Sequence, residues 1–194
     1  MGASIAVLDI NAESCAETAQ RVESAYQVET LPLPLDLSDQ RAVSEAADSV
    51  LRQFGRLDIL VNCAAFVGTS EDMEGWSVPF PEQNSSTFGK ALDLGLTAPF
   101  GLVQKCAEAL AGSGHGSVIN VASIYGMVGP DMGLYEGTTL GSPAAYSAGK
   151  GGLLQLTRWL ATVMAPRVRV NAISPGGVWR DQPEEFHQRY ISRT

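Results

Sequence analysis

Apolar runs of strand length, rich in Val, Ile, Leu and Ala, recur along this chain, and stretches of helical period lie between them. The runs are SIAVLD (4–9), VETLPLPLD (28–36), LDILVNCA (57–64), GSVINVAS (116–123) and RVRVNAIS (167–174). A strand with one wet face alternates apolar and polar residues, so a continuous apolar run predicts a strand covered on both faces. The prolines of 28–36 place that strand's exposure at one end. Residues 12–25, 38–55, 86–111 and 144–165 read as helices. Ser38 or Asp39 is the N-cap of the second, which closes on Gly55. Strand, helix, strand in repetition predicts a parallel sheet with right-handed crossovers. The fold class is α/β, a doubly wound parallel sheet, in a single domain over 1–194.

In such sheets ligands bind beyond the carboxyl ends of the strands. Those ends carry Asp9, Asp36, Asn62 with Ala64, Ser123, and Ser174 with Pro175 and Gly176. Each is an ordinary loop residue taken singly; together they line one edge of one sheet. Other chemistries lack a foothold. The net charge is −8, with acidic and basic residues intermixed, so no basic face exists for nucleic acid. Cys15, Cys63 and Cys106 are scattered without CxxC spacing; they read as small buried hydrophobes in a reducing compartment. His115 and His187 stand alone, which leaves no metal constellation. No apolar run reaches membrane-spanning length, and MGASIAVLDIN lacks the basic start of a signal peptide. A cytoplasmic protein is expected. GSGHGS (112–117) precedes a strand and reads as a turn, not a phosphate loop; no GxSxG elbow supports a serine hydrolase.

The chemistry at the edge is specific. Asp9 ends the first strand, followed by Ile10 and Asn11. A carboxylate there can accept both hydroxyls of an adenine ribose and repels a 2′-phosphate, so NAD is expected over NADP. Tyr146 precedes Lys150 by four residues, one helical turn. A free phenol titrates near ~10 and is a poor base at neutral pH; an adjacent ammonium favours its phenolate. Ser123 can hydrogen-bond a carbonyl or alcohol oxygen. Tyr125 and Tyr135 have no lysine four residues on, so Tyr146 is the candidate acid-base.

These pieces, VLDIN (7–11), LDLSD (35–39), DILVNCAA (58–65), GSVINVASIYG (116–126), YSAGK (146–150) and RVRVNAISPGGV (167–178), resemble the short-chain dehydrogenases/reductases in the family's own order. The resemblance implies a Rossmann-like fold and a hydride transfer between NAD(H) and a small-molecule alcohol or carbonyl. Ser123 would polarise, Tyr146 move the proton, and Lys150 tune the phenol and hold the nicotinamide ribose. Asp9 and Ile10 would meet the adenine ribose, and Asp36 and Leu37 the adenine. Asn62, Ala64 and Ala65 would support the cleft, with Pro175, Gly176 and Val178 bordering the nicotinamide. A homodimer or homotetramer is implied for the full-length protein. IYG…LYEGTTLGSPAAYSAGK with SPGGV…QPEEF is similar to a branch found near bacterial surface-sugar and nonulosonate pathways, which implies a sugar-like substrate. PDMGLYEGTTLG then forms a loop over that substrate, or an ordinary surface insertion.

The chain departs from the family pattern at several places. Gly95 stands where relatives carry an asparagine that holds a relay water, so another group must rebuild the relay. The family's first strand and Gly-rich turn are not found before Asp9, and its final helix and strand do not follow QPEEFHQRYISRT. The first strand belongs between the first and third strands seen here, and its loss leaves two apolar edges unpaired. The expectation is an internal fragment that binds NAD weakly or not at all. The alternative to a working enzyme is an inactive fragment or pseudoenzyme acting as a binding module.

Overall fold

A computed structural model of the protein describes residues 2–66 and 73–193. Among the described residues five strands and six α-helices follow in the order β1 (Ile5–Asp9), α1 (Ala12–Tyr26), β2 (Thr30–Pro34), α2 (Gln40–Phe54), β3 (Ile59–Asn62), α3 (Ser85–Leu92), α4 (Ala98–Gly112), β4 (Ser117–Val121), α5 (Ala144–Met164), β5 (Arg169–Ile173) and α6 (Glu184–Arg193). Local chemistry sets the ends. The Asn11 side chain accepts from Ser14 N–H at the start of α1, and Asp39, rather than Ser38, caps α2 by accepting from Arg41 and Ala42. Gly55 closes α2 in the left-handed region at φ 71°, where glycine carries no Cβ penalty.

All pairings are parallel, as expected, but they fall into two groups: β1 with β2, and β3-β4-β5 in that order. Among the described residues no strand lies between β1 and β3, the position at which the sequence leaves a gap. The prolines of β2 are accommodated because it is an edge. Leu35 N–H donates to Asp9 C=O, so by the two-residue period Leu31 and Leu33 turn their N–H groups the same way. Pro32 and Pro34 then face outward, where no donor is needed.

The core lies between β4-β5 and the helices: Val103, Cys106 and Leu110 of α4, Leu160 of α5, and Val118, Val168 and Val170 pack as one cluster with Ala47 of α2. Packing of α2 on α4 joins the two groups of strands. A buried polar chain braces the same layer. Asn62 Nδ2 donates to Asn120 Oδ1 at 2.8 Å, Asn120 Nδ2 to Thr157 Oγ1 at 2.8 Å, and Thr157 Oγ1 to Leu153 C=O at 2.7 Å. One expectation fails here. The apolar runs predict strands covered on both faces, yet Ile59 and Val61 are 56% and 51% exposed, and Ile173 is 51% exposed. Helices α4 and α5 cover one face of this sheet; these residues point from the other, where no described helix packs.

The long helix expected over 86–111 is three segments. A π turn at Asp93–Thr97 separates α3 from α4, and Ala98 N–H reaches back five residues to Asp93 C=O. Pro99 supplies the cause: it has no N–H and its ring excludes the carbonyl four residues earlier, which is that of Gly95. Helix α6 is not foreseen by the sequence reading; its mean composition is polar, and it forms against the 131–136 segment.

Candidate active site

Helix α5 begins after Pro143, and its small residues at 144, 145, 148, 149, 151 and 152 let neighbouring segments approach closely. Tyr146 is half-buried on its first turn and Lys150, one turn on, is 5% exposed. The Lys150 ammonium lies 5.7 Å from the centre of the Tyr146 ring and donates to Val121 C=O at 2.6 Å. Val121 is the last residue of β4. Two residues on, buried Ser123 accepts from Tyr125 N–H through its hydroxyl at 3.2 Å. The turn it starts is stitched to β5 by Ala122 N–H to Ile173 C=O (2.8 Å) and Ile124 N–H to Pro175 C=O (3.1 Å). Gly126 ends that turn against the backbone of α5: a Cβ on it would lie 2.7 Å from the Lys150 carbonyl carbon and oxygen. The fold thus brings Ser123, Tyr146, Lys150 and Pro175 together from three elements. Gly126 is the residue that the sequence reading missed; its signal was its place three residues after Ser123.

Burial lowers the Lys150 pKa from its ordinary value, opposed in part by Cys63 nearby. Among the described residues no carboxylate pairs with this ammonium. Below the folded-state pKa both folded and unfolded chains carry the charge, and the burial penalty is fully present. Between the folded value and 10.5 the unfolded chain binds more protons, so stability rises with pH. The urea midpoint is expected to climb as pH approaches the ordinary lysine value, and Lys150→Met removes that climb. A midpoint with the same pH dependence in both proteins would contradict the cost of burying this charge.

A hollow of about 20 Å³ lies beside Lys150, lined by Ala65, Phe66, Trp76, Gly95, Gly149 and Tyr146 among others. It has room for one water molecule. Phe66 and Trp76 close it with an edge-to-face contact, ring centres 4.9 Å apart. Gly95 offers no side chain there, but Pro99 deprives its carbonyl of the α-helical donor.

The remaining expected residues divide. Asn62 is buried, and its Oδ1 has no hydrogen-bond partner, an orphan acceptor at the end of β3. Ala65 lines the hollow and Ala64 is exposed beside it. Gly176 and Gly177 abut Tyr190 of α6, whose hydroxyl accepts from Gly177 N–H at 2.7 Å; Val178 is 63% exposed. Asp9, Ile10, Asp36 and Leu37 lie at the ends of β1 and β2. Asp9 accepts from Asn11 N–H, and Asp36 from Ser38 N–H, each at 2.8 Å. No strand pairing joins this group to the Ser123–Tyr146–Lys150 group. Cys15 and Cys106 are buried as expected, whereas Cys63 is exposed, because it follows the last residue of β3 and has left the sheet.

The donors and acceptors suit a nicotinamide dinucleotide at its two riboses. Lys150 is a buried ammonium without a carboxylate, and the Asp9 carboxylate keeps lone pairs beyond the one that accepts from Asn11. Among the described residues no helix is long and apolar enough to cross a membrane.

Comparison with known proteins points the same way. Residues 1–189 match the family model described as short chain dehydrogenase. The chain is 28% identical over 189 residues to post-translational flagellin modification protein A of Campylobacter coli, covering 96% of this chain and 72% of that one. It is 31% identical over 191 residues to 2-(R)-hydroxypropyl-CoM dehydrogenase of Xanthobacter autotrophicus, covering 94% and 70%. The crystal structure of NAD+-bound xylitol dehydrogenase superposes with a TM-score of 0.78 at 29% identity, covering 96% of this chain and 64% of that one. The chain thus spans about two thirds of the length of the proteins it matches.

Proposed function

The chain belongs to the short-chain dehydrogenase family, and on that footing we propose that it is an NAD-dependent oxidoreductase, acting by hydride transfer on a sugar-like alcohol or carbonyl. The observation that carries this reading is Lys150, buried one turn from Tyr146 with the Ser123 turn laid against its backbone. Bound NAD supplies the hydride acceptor. Ser123 holds the substrate oxygen by hydrogen bond, and Tyr146 takes or returns its proton at the phenolic oxygen. The Lys150 ammonium stabilises negative charge as it develops there and, with Asp9, holds ribose hydroxyls. The hollow beside Lys150, lined in part by Gly95, gives a proton a route onward through one water. The xylitol dehydrogenase supports a polyhydroxylated substrate, and its bound NAD+ supports the cofactor. The setting proposed is cytoplasmic, with the protein a homo-oligomer.

A second reading rests on the separation of Asp9 from the catalytic group across unpaired β1 and β3: a protein that keeps the sheet edge as a binding module without turnover. Cofactor binding decides between them. Because a dinucleotide must bridge both strand groups, affinity tighter than low micromolar is not expected. A ligand that binds only the folded state raises the melting temperature in proportion to ln(1 + [L]/Kd). A rise at millimolar NAD, larger than with NADP and lost on Asp9→Ala, supports the dehydrogenase. An unmoved melting temperature favours the binding module.

A further inference from the structure

The segment after the Ser123 turn carries chemistry that the acid-base reading leaves unused. Tyr135 donates its phenolic hydrogen to the Tyr125 hydroxyl at 2.9 Å. Tyr125 in turn lies two residues after Ser123 and donates its N–H to the Ser123 hydroxyl. The buried Ser142 hydroxyl, on the approach to α5, has no partner at hydrogen-bonding geometry and faces the Tyr135 phenol. Burial first, then the Tyr125 hydroxyl, push the Tyr135 pKa well above its ordinary value, and Tyr146 adds to the push. Tyr135 is thereby held in its protonated form.

The segment is held in place and does not hang free. Leu134 is 5% exposed. Asp131 accepts from Gly133 N–H at 3.0 Å and pairs with Arg193. Arg189 donates to the carbonyls of Leu134 and Glu136, and Phe186 packs on the Tyr135 ring at 5.4 Å between centres. Helix α6 thus fixes Tyr135, within the 130–141 stretch whose role the sequence left between a substrate loop and a surface insertion, against the Tyr125 that follows Ser123. A pair of phenols held this way offers both a donor and an acceptor at one point, which matches a hydroxyl and not a methylene.

We propose that Tyr135 is a specificity-determining residue: with Tyr125 it binds a second hydroxyl of the substrate, adjacent to the carbon that reacts, so that 1,2-diols and polyols are taken over simple alcohols. This rests on Ser123, Tyr146 and Lys150 being the reacting group. A site built to hydrogen-bond a hydroxyl rejects the analogue that lacks it.

The test uses two probes differing by one hydroxyl, cis-cyclohexane-1,2-diol and cyclohexanol, with the full chain. Their binding is measured by saturation-transfer NMR, and their NAD-dependent oxidation as kcat/KM. The wild-type protein is expected to favour the diol about tenfold or more, and Tyr135→Phe to cut that ratio about tenfold, the worth of one neutral hydrogen bond. Tyr125→Phe serves as a second variant if the first fails to fold, with the same loss expected. A wild-type protein that binds both probes equally, or binds neither, overturns the proposal, as does a uniform loss for both probes with the ratio intact. The reacting group is tested separately: diol binding that depends on Tyr135 with no oxidation sensitive to Tyr146→Phe would sink the dehydrogenase reading while leaving the hydroxyl site in place.

Discussion

Tyr146→Phe lowers kcat by about 10²- to 10⁴-fold, the usual worth of a positioned general acid-base, while the Kd for NAD stays within a factor of about two. The variant removes one oxygen from a half-buried ring and leaves the packing of α5 as it was. Lys150 keeps its bond to Val121 C=O, and its position over the ring does not depend on the hydroxyl. Loss is therefore confined to proton transfer. The measurement is steady-state turnover alongside cofactor titration of the same two proteins. Near-normal turnover would remove Tyr146 from the mechanism; a parallel collapse of cofactor binding would make its role structural.

Gly126→Ala is expected to damage both stability and catalysis, although Gly126 carries no chemistry of its own. Its Cβ would sit 2.7 Å from the Lys150 carbonyl and 2.9 Å from Gly151 N, all backbone atoms of α5. A helix backbone cannot rotate away as a side chain can, so the Ser123 turn and α5 must separate. Overpacking of this kind costs about 1–3 kcal/mol, a large share of a typical domain's about 5–15 kcal/mol. The separation also moves Ser123 relative to Tyr146, and an ångström of misplacement is worth about 10²-fold in rate. Urea unfolding and kcat, measured together on Gly126→Ala, should both fall. Unchanged stability with unchanged rate would mean that the turn and the helix are not pressed together.

Much of this was legible in the chain before any coordinates. The five strands and the first, second and fifth helices lie where the apolar runs and helical periods put them, with boundaries shifted by a few residues: 28–36 contracted to Thr30–Pro34, and 57–64 to Ile59–Asn62. The helix over 86–111 was split because a lone proline acts on the carbonyl four residues earlier, an effect that apolar periodicity does not register. Helix α6 escaped notice because EEFHQRYISR is short and mostly polar, with apolar Phe186, Tyr190 and Ile191 among seven polar residues; Phe186, Arg189 and Arg193 gain their purpose only from the 131–136 segment. Tyr135 was set aside as an acid-base candidate for want of a lysine, which was a sound argument about one role and silent about another.

The sequence by itself determined what depends on neighbours a few residues away. A helix of 3.6 residues per turn puts Tyr146 beside Lys150 whatever surrounds them, and strand-length apolar runs place Asp9, Asn62 and Ser123 at strand ends. The tertiary structure decided what depends on segments far apart in the chain: that β1-β2 and β3-β4-β5 pair separately, that Gly126 meets the Lys150 backbone, and that Tyr135 reaches Tyr125 under Phe186. The physical reason is that local conformation follows from fixed backbone geometry. Which distant surfaces meet follows from the shape and polarity of both partners at once, and no single stretch of chain contains both.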